Sequence, residues 1–274
     1  MEPLGPLAEL LQGGLGAGLL PGLAAAPEAV AVAMAIFIRV GAVTALLPGF
    51  GEQTLALRLR LAAALALSLI VAPLVWPADL PDVTGPLALA GLFGAEAAIG
   101  LALGLLLRFM IMALQLAGSV AAQATSVAQI FGAGITPDPM PAIGNLLVIG
   151  GIALALTAGL HVKAAAMLAF SYDALPLGRL PDGGDLASWG VAHGAAAFGL
   201  AIALAAPFVL VSVLYNIALG AINRAMPQLM VAFVGAPFIT GAALVLLALA
   251  APAMLSVWQG ALDARLAAPL DLPR

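Results

Sequence analysis

Residues 195–222 read AAAFGLAIALAAPFVLVSVLYNIALGAI and contain no Asp, Glu, Lys, Arg or His. A helix that crosses the hydrocarbon core of a bilayer needs about 20 consecutive apolar residues. This stretch exceeds that length, and it is dominated by Ala and Leu, which favour helix. It therefore predicts a membrane helix that is screened from water over much of its length.

The same property extends along the whole chain. Apolar residues make up 64% of the 274 positions and charged residues only 8%, with a mean hydropathy of +1.17. A soluble domain carries about 25% charged residues. Nine basic and thirteen acidic side chains cannot cover a soluble surface of this size. Lipid or apolar partner subunits must therefore replace water, which predicts an all-α integral membrane protein.

Six apolar blocks are separated by Pro, Gly and charged residues, and no segment alternates with the period of two that a membrane barrel strand requires. The third block is too long for one ordinary span, so we expect it to be tilted, kinked or extended beyond the hydrocarbon. The blocks cover about 29–47, 61–76, 87–124, 143–170, 195–222 and 229–257.

These blocks predict three regions along the chain. Residues 1–28 form a lead-in, 29–257 a single membrane helical domain, and 258–274 a C-terminal tail. The lead-in has no basic region before its apolar residues and carries Glu2 and Glu9, so it does not match a signal peptide. We expect the mature chain to keep it.

A glycine pair in the third block, Gly100 and Gly104, has the small-xxx-small spacing that lets helix backbones approach closely. The pair is consistent with packing inside the chain and with an interface to another subunit. The sequence leaves both alternatives open.

Two charges of opposite sign lie near the centres of apolar blocks, Arg39 in the first and Glu96 in the third. A charge at bilayer depth costs at least about 2.5–3.5 kcal/mol on insertion scales, so each one requires a partner. Arg108 lies twelve residues after Glu96, beyond the spacing of three or four that pairs side chains on one helix. Arg39 and Glu96 are therefore candidates for a buried pair between helices. Alternatively, either side chain extends to a wet edge or meets a partner chain.

The connection between the third and fourth blocks, residues 123–141, reads QATSVAQIFGAGITPDPMP. Helix should fail by Gly132, and three prolines within five residues prevent it from resuming before Met140. Irregular backbone at membrane depth is tolerated only where protein or a water-filled cavity surrounds it. An exposed loop has little reason to be this apolar, so we expect a buried loop or plug. An ordinary surface connection is the alternative.

Enzyme motifs are absent from the sequence. It contains no HExxH, no phosphate loop with GK[ST] and no GxSxG, and every Asp lies outside the block centres. With no Cys and two His, we expect no metal site and no cofactor. The basic residues are scattered, so nucleic acid is not an expected partner.

The order of several short motifs resembles the FliR/SctT family of export-gate proteins from flagellar and virulence type III secretion systems. The motifs that carry the resemblance are Phe37-Ile38-Arg39-Val40-Gly41, Leu47-Pro48-Gly49-Phe50-Gly51, Arg58-Leu59-Arg60-Leu61-Ala62, Gln115-Leu116-Ala117-Gly118, Asp138-Pro139, Gly159-Leu160-His161, Ser171-Tyr172, Leu175-Pro176-Leu177-Gly178 and Asn223-Arg224-Ala225-Met226-Pro227-Gln228-Leu229. Together they extend over about 29–257.

The resemblance implies a non-catalytic subunit whose helical hairpins pack in a hetero-oligomeric export gate of the bacterial inner membrane. Its expected partners are FliP-type, FliQ-type and FlhB-type subunits, exported unfolded proteins and the lipid bilayer. Its first part would be similar in fold to FliP and its last part to FliQ. The resemblance also implies a central loop that plugs the closed pore, which falls on Ile130, Phe131, Gly132, Ala133 and Gly134.

Two other classes of function compete with this interpretation. A self-contained transporter or channel would require an inverted repeat and a charged site near the midplane. The halves of the chain show no convincing repeat, and the candidate charges are few. An intramembrane enzyme would require a nucleophile, metal ligands or an acid pair, none of which the motifs supply.

Overall fold

The computed structural model describes residues 27–51, 56–76, 85–125, 142–226 and 231–273, without the side chains of 27 and 231–237. All regular structure within these ranges is α-helical, which confirms the predicted fold class. The helices are α1 Pro27–Leu46, α2 Leu57–Val75, α3 Pro86–Ala124, α4 Ala142–Thr157, α5 Leu160–Ala174, α6 Gly183–Ala225 and α7 Val231–Ala267.

Helix boundaries follow from local chemistry. Helices α1 and α3 begin at proline, which suits the first helical position because its missing N–H would have no partner there. Asp182 precedes α6, and its Oδ1 accepts hydrogen bonds from the N–H groups of Gly184 and Asp185 at 2.8 and 3.3 Å. This cap explains why α6 begins at Gly183, twelve residues before the uncharged stretch 195–222.

The exit from α1 is a tight turn. The Phe50 N–H donates to the Leu47 carbonyl at 3.1 Å, and Gly49 has φ 83°. Pro48 presets the second position of such a turn, and the third position requires a positive φ that glycine adopts without strain. The Leu47-Pro48-Gly49-Phe50 motif therefore specifies a reversal of the chain after α1.

Five of the described helices are long and apolar enough to cross a membrane, and α4 and α5 together form a broken sixth candidate. The two helices separate at Gly159, which has φ 79°. These candidates agree with the six apolar blocks, so the protein is a multi-pass membrane protein. Helix α3 is one continuous helix of 39 residues, or about 58 Å at 1.5 Å per residue.

The chain divides into two compact units, a first unit of Met1–Leu105 with His161–Ala187 and a second unit of Leu106–Leu160 with Ser188–Arg274. In the first unit, α2 packs against α1, and its buried residues Ala64, Leu67, Ser68 and Val71 share one helix face. A Cβ at Gly100 would lie 2.6 Å from the Arg39 carbonyl oxygen. The glycine pair of α3 therefore serves close packing against α1, inside the chain.

In the second unit, the core is built around Trp258 of α7, which is fully buried. Its indole Nε1–H donates to the Met110 carbonyl of α3 at 2.7 Å. Helix α7 continues ten residues beyond the boundary at 257 that the sequence suggested. Trp258, Leu262 and Leu266 are spaced by four residues and all lie buried on one face, which explains the continuation.

Candidate functional site

The most polar part of the described interior lies in the first unit, around Arg39. Arg39 sits in the middle of α1 and Glu96 in the first half of α3, and both side chains are fully buried. Helix α1 brings Arg39 to α3 because Gly100, one turn after Glu96, leaves room for the α1 backbone. The absence of a side chain at 100 thus positions the charge at 39.

The guanidinium of Arg39 binds the Glu96 carboxylate through two hydrogen bonds. Nε donates to Oε2 at 2.6 Å, and Nη2 donates to Oε1 at 3.0 Å. This two-pronged geometry makes an Arg–carboxylate pair both strong and directional. The structure therefore brings the two oppositely charged residues together, as the inter-helix alternative requires.

Neutral groups complete the coordination of both charges. Arg39 Nη1 donates to Ser171 Oγ at 3.2 Å, and Nη2 donates to the Leu175 carbonyl at 3.0 Å. The Gly178 N–H donates to Glu96 Oε1 at 2.9 Å. Two buried charges repay their desolvation only when further hydrogen bonds reach them, and these three bonds do so here.

An aromatic face covers the cation. The Arg39 Cζ lies 3.7 Å from the centre of the Tyr172 ring, within the range of a cation–π interaction. Tyr172 follows Ser171 in α5, so α5 supplies both a hydroxyl and a ring to the same guanidinium. We call Arg39, Glu96, Ser171 and Tyr172 the charge cluster.

Comparison with known proteins places this chain in a family. A family model described as bacterial export proteins, family 1, matches residues 30–264, which includes all of the charge cluster. The chain belongs to this family. The matched residues cover parts of both units and all or part of each of the seven helices described above.

Three relatives of this export-family chain carry the name flagellar biosynthetic protein FliR. The protein from Caulobacter vibrioides is 34% identical over 235 residues, 83% of this chain and 91% of the relative. The protein from Pectobacterium carotovorum is 30% identical, covering 73% and 77%. The protein from Escherichia coli K12 is 27% identical, covering 73% and 76%. The resemblance to the FliR/SctT family is thereby confirmed.

The charges of the charge cluster are bonded within the chain. Both carboxylate oxygens of Glu96 and three nitrogens of Arg39 are engaged in hydrogen bonds, so the pair is internally compensated. It connects α1, α3, α5 and the turn after α5. Within the described ranges, no group of three or more His, Cys, Asp or Glu could hold a metal ion.

The sequence did not indicate that Ser171 and Tyr172 belong to the charge cluster, or that the backbone at Leu175 and Gly178 bonds to it. Their motifs, Ser171-Tyr172 and Leu175-Pro176-Leu177-Gly178, contribute to the family resemblance, but nothing in them indicates a contact with Arg39. Leu175 contributes a carbonyl and Gly178 an N–H, and backbone groups leave no trace in side-chain identity. Gly178, with φ 74°, is the one position whose residue type carries a signal.

The five residues predicted to form the pore plug, Ile130, Phe131, Gly132, Ala133 and Gly134, lie outside the described residues. The chain leaves α3 at Thr125, which is fully buried, and α4 begins at Ala142, followed by the buried Ile143.

Proposed function

We propose that this protein is a non-catalytic subunit of a type III protein export gate in the bacterial inner membrane. There it helps to form the pore through which unfolded flagellar or virulence proteins pass. The observation that carries the proposal is the family match over residues 30–264 together with three relatives that are named flagellar biosynthetic proteins.

The described helices expose much apolar surface, which supports a position in the membrane among lipid and partner subunits. Only 17% of the spanning part of α2 is buried, and Leu69 and Leu74 are 67% and 71% exposed. Lipid covers such a surface within the bilayer. Helix α6 has 43 residues, about 64 Å, roughly twice the thickness of the hydrocarbon core. Parts of α6 therefore extend beyond the hydrocarbon, where partner subunits of FliP, FliQ or FlhB type would cover them.

Co-expression tests this proposal. The chain is expressed with the FliP-type and FliQ-type subunits of the same genome, extracted in mild detergent and purified through a tag on this chain alone. We expect a stable complex that contains all three subunits, and a poorly behaved chain when the partners are omitted. A well-behaved lone monomer, or substrate uptake by liposomes that contain only this protein, would instead favour a self-contained transporter.

We also propose that residues 130–134 plug the closed pore. The segment carries the apolar side chains of Ile130 and Phe131, and a hydrophobic constriction blocks water and ions by dewetting. Phe131 supplies bulk, and the neighbouring glycines give the backbone the freedom to move aside.

The plug is tested by potassium efflux from proteoliposomes that contain the complete gate complex. Replacing Phe131 with Ala, or deleting residues 130–134, should raise the efflux. Phe198→Ala is the matched control, since Phe198 is 58% exposed on α6 and belongs to the described, regular part of the chain. Efflux that stays at the unmodified level in both plug variants would contradict the assignment.

A further inference from the structure

The residues that follow α7 are bonded to the first turns of α6, within the second unit. Helix α7 ends at Ala267, and the chain continues as a non-helical segment, 268–273, which we call the strap. The Trp189 indole Nε1–H of α6 donates to the Pro269 carbonyl of the strap at 3.1 Å, and both residues are buried. Water therefore competes only weakly for the bond that holds the strap against α6.

A second ring of α6 lies beside the Trp189 indole. His193 follows Trp189 by four residues, so both rings lie on one face of the helix. Their centroids are 4.6 Å apart, and the His193 side chain is fully buried. The imidazole lies close to the backbone of Asp271 in the strap and within electrostatic range of Arg265 near the end of α7. The strap and the last turns of α7 thus cover His193.

The closed strap leaves the imidazole of His193 poorly satisfied. A neutral imidazole carries one hydrogen-bond donor and one acceptor. Neither Nδ1 nor Nε2 has a hydrogen-bond partner among the residues that the structure describes. Burial of a polar group without a partner destabilises the arrangement that buries it. Trp189 therefore stabilises the closed strap, and His193 opposes it.

A proton on His193 would add a positive charge to this buried site. The charged residues on the elements around it are Arg108 of α3, Asp185 of α6, Asp263 and Arg265 of α7, and Asp271 of the strap. Arg265 acts on the imidazole directly, whereas Asp271 is exposed and Asp263 Oδ1 accepts a hydrogen bond from Gln259 at 3.0 Å. An imidazolium would therefore be buried beside a like charge, which both desolvation and repulsion disfavour.

We propose that the strap is a pH-sensitive closure of the second unit, which Trp189 holds against α6 at neutral pH and which protonation of His193 releases. His193 lies two residues before the uncharged stretch 195–222, so water reaches it once the strap opens. In the open state the ring titrates near its ordinary pKa of about 6.5. Because the closed state accommodates only the neutral ring, closure is fully present above that pH and is lost as the pH falls below it.

Thiol labelling of the strap tests this proposal, which does not depend on the pore plug. The chain contains no cysteine, so an introduced thiol is the only one in it. Pro269→Cys places a thiol at a buried position, and Leu272→Cys places one at a position that is 63% exposed. The full chain, tagged and co-expressed with its partner subunits, is labelled with a maleimide in permeabilised membrane vesicles. The rate at 269 divided by the rate at 272 removes the pH dependence of the thiol itself.

This labelling ratio should rise about tenfold between pH 7.5 and pH 5.5, as expected for one group that titrates near 6.5 in the open state alone. His193→Gln and His193→Phe remove the titration, and each should make the ratio independent of pH. His193→Phe also removes the unpartnered nitrogens while keeping a ring beside Trp189, so it should lower the ratio at pH 7.5. Trp189→Phe loses the indole donor and should raise the ratio about three- to tenfold at both pH values, the factor by which one hydrogen bond changes a two-state population.

His161→Gln is the matched control, because His161 is the other histidine of the chain and is exposed on α5. It should retain the full rise on acidification. A ratio that does not change with pH while His193 is present would overturn the proposal. A rise that persists in both His193 variants would do the same, since another group would then be titrating. A ratio that falls on acidification would show that a carboxylate such as that of Asp271 binds the imidazolium and tightens the strap, which is the opposite device.

Discussion

The interiors of the two units are specified by different interactions. The first unit contains the charge cluster, in which Arg39 and Glu96 are fully buried and bonded. The second contains what we call the tryptophan core, Met110, Leu114, Gly151 and Trp258, where one indole N–H is the polar group. A buried charge accepts only a partner of opposite sign in the right direction, whereas a packed ring requires a matching shape.

This difference indicates how each unit should respond to substitution. Removing one charge leaves the other buried without compensation, so the loss is large and does not depend on volume. Changing the volume in the tryptophan core has a cost that depends on how far neighbouring side chains can move. The following variants test the contrast, from the largest expected effect to the smallest.

Glu96→Gln should have the largest effect. It leaves the Arg39 charge buried and should lower the free energy of unfolding by about 3–5 kcal/mol. The measurement is the thermal unfolding of the purified gate complex, with the amount of chain in the membrane as a second readout. The double variant Arg39→Met with Glu96→Met removes both charges and should recover much of the loss. A single variant as stable as the unmodified chain would show that the charge pair does not specify the first unit.

Gly151→Ala should have an intermediate effect in the tryptophan core. A Cβ at 151 would lie 2.5 Å from Leu114 Cδ1 and 3.3 Å from the Trp258 ring, so both must shift. Overpacking of this kind costs about 1–3 kcal/mol. Gly199→Ala is the matched control, because a Cβ there meets nothing within 4 Å and should be neutral or stabilising. Equal unfolding temperatures for the two variants would argue against shape as the determinant.

Tyr172→Leu should have the smallest effect of the three. It removes the ring that covers Arg39 while keeping an apolar side chain, and a cation–π interaction contributes about 0.5–2 kcal/mol. Tyr172→Phe retains the ring and should remain close to the unmodified chain in thermal unfolding. If the Tyr172→Leu and Tyr172→Phe variants unfold at the same temperature, the Tyr172 ring contributes only through its volume.

Much of the fold could be predicted from the sequence. The six apolar blocks correspond to the membrane candidates, because a long uncharged run of Ala and Leu has few alternatives to helix in lipid. Block ends were less accurate. The block that begins at 195 belongs to a helix that begins at Gly183, and the one that ends at 257 belongs to a helix that ends at Ala267. A capping Asp182 and a buried face through Leu262 extend these helices, and hydropathy registers neither.

The charge cluster could be predicted only in part. Two opposite charges in apolar blocks require partners, so Arg39 and Glu96 were natural candidates for each other. The sequence leaves a wet edge or another chain open as alternatives, because spacing within a helix does not determine which helices are neighbours. Ser171 and the Leu175 carbonyl reach Arg39 only once α5 is placed beside α1. The segment 130–134 remains a prediction from the family resemblance.

The sequence by itself determined that this protein lies in lipid and that it is helical. Too few charges are present to keep its surface in water, and lipid permits few backbone conformations. The tertiary structure alone decided which polar groups meet. Arg39 contacts Glu96 because Gly100 leaves room for the α1 backbone, and Ser212 bonds to the Ala124 carbonyl, 88 residues away in the sequence. Directional bonds depend on positions in three dimensions, and apolar periodicity constrains those positions only loosely.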